Sequence, residues 1–180
     1  DTFTDLGILM VLIIILVFIV MAAQFESLVD PFVIMFSIPF AFTGIVLGLA
    51  VTQTPLGVMA LIGVIMLMGI VVKNGIVLID YTILCRERGM GIITSVVTAG
   101  KSRLRPVLMT TVTTVLGMIP MAVGTGEGSE MWRSMGMTVA WGLSVSTLIT
   151  LIIVPTVYAV FAANGVKRRR RKIRKALRNN

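Results

Sequence analysis

From Pro31 to Val72 the chain runs 42 residues without a charged side chain. One helix crossing a bilayer uses about 20 apolar residues, so this gap is long enough for two crossings. Between them lies Thr52-Gln53-Thr54-Pro55-Leu56-Gly57, polar and proline-containing, as a turn requires. A second charge-free run separates Asp5 from Glu26. Extending the same map predicts five spans, at about 6–23, 32–51, 57–80, 106–123 and 136–162. The runs are too long and too uniformly apolar for the alternating strands of a membrane barrel. The predicted fold class is an all-α membrane protein, a five-helix transmembrane bundle at 1–166 with a basic tail at 167–180.

Composition narrows the chemistry. With 57% hydrophobic and 13% charged residues the chain is no ordinary soluble enzyme, and it is equally unlike a disordered one. The absence of His and the single Cys exclude a disulfide framework and the usual zinc or haem ligand sets. The first span lacks a basic leader and begins among Asp1 and Asp5, so it does not read as a signal peptide. A start without Met, directly on a span, suggests a piece of a longer polypeptide.

Five spans put the two ends on opposite sides. One side receives Arg86, Arg88, Lys101, Arg103, Arg105 and the nine basic residues from Lys167 to Arg178, while the other receives only Arg133. The positive-inside rule then predicts an outside N-terminus and a cytoplasmic C-terminus. The basic tail reads as a topology anchor rather than a nucleic-acid patch, for no aromatic residue is interleaved to stack on bases. The connection 81–105 holds Ile92, Ile93, Val96 and Val97 at helical spacing, which predicts an interfacial amphipathic helix over about 86–101. Its glycines match neither a P-loop nor a dinucleotide fingerprint, so no residue here binds ATP by those motifs.

Lys73 is the one charge deep within a span, seven residues or about 10 Å of helix from Asp80. An intramembrane ammonium is expensive and marks a functional site by default, the alternative being a lysine that snorkels to the interface. Asp80 shares its helical face but lies two turns away, beyond a direct pair. A carboxylate partner must come from a helix outside these five. Thr110, Thr113, Thr114 and Gly117 recur at i, i+3, i+4 and i+7, a hydroxyl stripe that either joins helices or lines a hydrated proton path. Pro106 stands at the predicted start of that span, where proline is tolerated, with Arg103 and Arg105 at its mouth. Gly44-xxx-Gly48 permits close helix approach but is a weak signal. Met131, Met135 and Met137 read as apolar packing rather than a soft-metal path.

Three stretches resemble one family. They are Ala22-Ala23-Gln24-Phe25-Glu26-Ser27, the run Gly69 to Asp80 with Lys73-Asn74-Gly75 at its centre, and Arg103 to Thr111. Gly117-Met118-Ile119-Pro120 and Val154-Pro155 continue the match. In order and spacing the chain is similar to resistance-nodulation-division (RND) efflux pumps, most of all to the hydrophobe/amphiphile multidrug branch. The resemblance implies the last five of twelve helices of a secondary active transporter, a proton antiporter of the bacterial inner membrane rather than an enzyme. It implies that Lys73 pairs with two aspartates on a helix of the first half, that Thr110 belongs to the same proton relay and that Arg103 lies toward its cytoplasmic end. Asn74, Asp80 and Thr114 are candidate supporting positions. It further implies a homotrimer, a periplasmic adaptor and an outer-membrane channel, with the proton motive force as energy source and no cofactor. Export of metal ions, lipids or polypeptides is the related alternative. A non-transporting membrane anchor is the distant one, and it has no need of an intramembrane lysine.

Overall fold

The computed structural model describes residues 2–178, with side chains described through Lys167. The expected basic tail therefore falls, from Arg168 on, outside the described side chains. Among the described residues all the regular structure is helical: α1 (Thr2–Phe25), α2 (Val29–Met35), α3 (Ile38–Thr52), α4 (Val58–Glu87), α5 (Ile92–Val123) and α6 (Ser129–Arg178). Five segments are long and apolar enough to cross a membrane, α2 and α3 counting together as one, Val29–Thr52.

The ends of the helices have local causes. Glu26 adopts a left-handed conformation (φ 49°) and stops α1. Ser27 Oγ then accepts the Val29 N–H at 3.2 Å. The span expected as one helix over 32–51 is broken at Phe36–Ser37. Pro39 explains the break, since its nitrogen has no hydrogen to donate back to the Met35 carbonyl. Ser37 caps the interruption by donating its hydroxyl to Ile34 O at 2.6 Å. Gln53, left-handed at φ 49°, closes α3 and returns its N–H to Leu49 O.

Two boundaries depart from expectation. α4 runs on past Asp80 to Glu87, and α5 begins only at Ile92. No separate interfacial helix spans 86–101: the turn is at 88–91, where Gly89 takes φ +89° and Met90 N–H closes on Cys85 O at 3.3 Å. Pro106 is interior to α5 rather than at its start. It removes one backbone bond from a 32-residue helix that packs along α6, a loss too local to end it. α6 likewise starts at Ser129 and continues beyond 162.

α6 is the hub, packing most extensively on α5, then α4, then α3. Between membrane helices apolar surface supplies little drive, so close van der Waals fit does the work. Gly48 on α3 shows this. A Cβ there would land on the stem of Trp141 of α6, and one at Gly44 would come within 2.8 Å of Val145 Cβ. The weak Gly44–Gly48 motif is thus a real helix contact. Ile45, Val64, Leu67, Met68, Val71 and Leu143 fill the adjoining core. α1 packs mainly against α2 and α4 and buries a single residue, Met21.

Candidate functional site

α4 has two faces. Val71, Val72, Asn74, Gly75, Leu78 and Ile79 are buried against the bundle. Ile62, Met66, Gly69, Lys73, Asp80 and Leu84 form an exposed stripe on the other side. Lys73 therefore points away from its own bundle. Asp80 shares the stripe, two turns along the helix. Asn74 does not: it is 8% exposed and turned into the packed face.

α5 also divides its hydroxyls. Thr110 is exposed and donates to Pro106 O at 3.0 Å, while half-buried Thr114 donates to Thr110 O at 2.8 Å. Both bonds stay within the helix, so neither residue joins α5 to a neighbour through its hydroxyl. Thr113, also exposed, lines a groove of about 570 Å³ together with Lys101, Leu104, Arg105 and Val112. The interhelical bond is made instead by Thr111, buried, whose Oγ1 lies 3.0 Å from Thr147 Oγ1 of α6. Sequence reasoning missed that pair. Thr111 falls outside the i, i+3, i+4, i+7 stripe, and its position beside Thr110 was the only available cue.

Arg103 is half-buried, its guanidinium carbon 4.8 Å from the centroid of the Tyr81 ring on α4. This contact sets the register between two helices that run in opposite directions. Lys73 lies eight residues back along α4 from Tyr81, about 12 Å, and Thr110 seven residues on along α5 from Arg103, about 10 Å. Lys73 and Thr110 thus sit at nearly the same depth. Below them, toward the 88–91 turn, is a cleft of about 630 Å³ that the sequence did not reveal. Phe25, Asp30, Arg86, Glu87 and Phe161 are among its lining residues, and Tyr158 accepts a hydrogen bond from Arg86 at 3.1 Å. Its parts come from three stretches far apart in sequence: the α1–α2 corner, the end of α4 and α6. Among the described residues no three His, Cys, Asp or Glu side chains cluster as metal ligands. Met135 packs against the backbone of α4 at Gly63.

The model of the AcrB/AcrD/AcrF family matches residues 2–162. The chain belongs to that family. It is 43% identical over 163 residues to the swarming motility protein SwrC of Bacillus subtilis, covering 90% of this chain and 16% of that protein. It is 38% identical over 143 residues to the multidrug resistance protein MdtC of Erwinia tasmaniensis, covering 79% of this chain and 14% of MdtC. A crystal structure of a heavy metal efflux pump superposes with a TM-score of 0.79 at 29% identity, over 87% of this chain and 15% of the pump. The chain spans about a sixth of the length of these relatives. As an RND family member with five apolar helices, it is a multi-pass membrane protein and part of a transporter fold.

Proposed function

We propose that this chain is the C-terminal transmembrane part of a proton-driven RND exporter subunit and supplies the cationic side of its proton relay. The observation that carries the reading is the placement of Lys73 on the exposed stripe of α4, level with exposed Thr110 on α5. A lysine facing lipid at mid-membrane would cost about 2.5–3.5 kcal/mol on insertion scales. A carboxylate on a helix from the rest of the polypeptide offsets that cost. When the carboxylate is ionised, Lys73 is held to it; when a proton neutralises it, the ammonium is released. That exchange of partners is a two-state element able to shift helices and drive distant domains. Thr110 and Arg103 belong to the same path, with Thr114 and Asp80 beside it. Asn74, buried on the opposite face, supports the bundle rather than the path.

In this reading the 124–128 loop is periplasmic and the 88–91 turn cytoplasmic, in the inner membrane, by the division of basic residues. The subunit works as a homotrimer with a periplasmic adaptor and an outer-membrane channel, and exports drugs or other amphiphilic small molecules. The fold it shares with a heavy metal efflux pump favours a second reading, export of metal ions.

Transport by the intact polypeptide tests both. In proteoliposomes with an imposed pH gradient, Lys73→Ala should abolish export while purified yield and oligomeric state stay near wild type. Wild-type flux in that variant would return Lys73 to a snorkelling role. Ethidium and Zn²⁺, offered separately, distinguish the two substrate classes. Cysteines placed at Gly128 and Met90 in a Cys85→Ala background should label from opposite sides, and labelling from one side would refute the topology.

A further inference from the structure

The chain contains two tyrosines, and each holds an arginine near the same end of the bundle. Tyr158 on α6 does so through its hydroxyl, which accepts a hydrogen bond from Arg86. Tyr81 on α4 does so through its ring, beneath the Arg103 guanidinium of α5. Arg86 is exposed, open to solvent beyond its bond to Tyr158. Arg103 is different. Its Nε is buried and finds no acceptor among the described residues.

A guanidinium stays charged at any working pH, so Arg103 cannot relieve its partial burial by losing a proton. Leaving a buried donor unmade is costly, and long cationic side chains readily swing out to water. An aromatic face opposes that escape. It attracts the cation without using any of its N–H groups, so the Nε–H remains available to an acceptor. The stack therefore holds the charge in place and leaves a directed donor unspent.

We infer that Tyr81 is a positioning residue of the proton path: its ring face fixes the Arg103 guanidinium between α4 and α5 so that Nε–H meets an acceptor supplied by the rest of the polypeptide. The inference rests on the relay reading above and adds to it a residue on the α4 side. Arg103 has no other described partner that would hold it, because Lys101 and Arg105 on its own helix are like charges. Asp80 lies on the exposed stripe of α4, and the Tyr158 hydroxyl is engaged with Arg86.

The test uses the intact transporter in proteoliposomes under an imposed pH gradient, with whichever of ethidium or Zn²⁺ the wild type exports. Tyr81→Phe and Tyr81→Trp keep the ring face and should hold Vmax within about twofold of wild type. Tyr81→Leu should lower Vmax by about two- to thirty-fold with KM unchanged, the range expected for loss of a cation–π contact. Tyr81→Met serves as a second ring-less variant if Leu lowers the yield. Phenylglyoxal modification of Arg103, followed by mass spectrometry, should be faster in the ring-less variants than in the aromatic ones. Tyr158→Phe, which removes the Arg86 hydrogen bond at the same end, should transport at the wild-type rate. Full Vmax in both ring-less variants overturns the inference. So does a Tyr81→Phe loss as large as that of Leu, or a Tyr158→Phe loss as large as either. If Lys73→Ala exports normally, the relay reading itself fails; if Lys73→Ala is inactive and Tyr81→Leu is not, only the role of Tyr81 fails.

Discussion

α1 and α4 are both apolar enough to cross a membrane, and α1 is the more hydrophobic of the two. Yet α1 buries one residue, Met21, and α4 buries thirteen. In water the greasier helix would be the inner one. In a bilayer lipid tails solvate Leu and Ile as well as another helix does, so hydrophobicity selects for insertion and says little about neighbours. What distinguishes α4 is residues that shape a contact: Gly63 against Met135 and Thr138 of α6, and Gly75 against Ile34 of α2. α1 has Gly7, with nothing within 4 Å of where a Cβ would stand, and mostly large apolar side chains from Ile8 to Met21. Glycines fitted against a neighbouring helix, rather than apolar content, mark the inner face of α4, while Gly69 on its exposed stripe meets nothing.

The largest effect should separate two glycines. Gly48→Val must displace the stem of Trp141, which is anchored to the α6 backbone and has no flexible end to move. It should cost about 1–3 kcal/mol or more, read as a lower Tm and yield of the purified transporter. Gly7→Val on α1 should leave both unchanged. Equal losses at the two sites would break the contrast.

A smaller effect divides the hydroxyls of α5. Thr111→Val removes the bond to Thr147 and should cost about 0.6 kcal/mol, at most about 1.7, with transport largely kept. Thr110→Val loses only a bond within its helix, so stability should hardly change while proton-coupled export falls. A stability loss from Thr110→Val matching that of Thr111→Val would mean that both hydroxyls serve packing. The smallest effect belongs to α1. Ile15→Ala and Leu16→Ala, each more than half exposed, should shift stability by less than about 0.5 kcal/mol. A loss of several kcal/mol at either would show that the rest of the polypeptide buries this helix.

The five crossings were legible because a charge in hydrocarbon is costly enough to be kept out of almost every span, which leaves a visible gap. Lys73 was legible for the same reason, as the exception. Helix ends were read less well. The break before Pro39 fell inside a span drawn as one helix, proline was given too much weight at 106, and the glycines at 89 and 91 too little. Local chemistry says where a helix can stop; whether it does depends on the helix packed alongside, and α5 continues through Pro106 packed along α6.

The sequence by itself determined the number of spans, their order and the residue that does not belong in lipid, because each follows from transfer between water and hydrocarbon, a property of single segments. Tertiary structure alone decided which face of each helix is inward. Lys73 and Asn74 are neighbours in the chain, as are Thr110 and Thr111, yet each pair is split between opposite faces. One residue step turns a helix by about 100°, and packing sets that rotation: Gly63 on Met135 and Gly75 on Ile34 for α4, Thr111 on Thr147 and Arg103 on Tyr81 for α5.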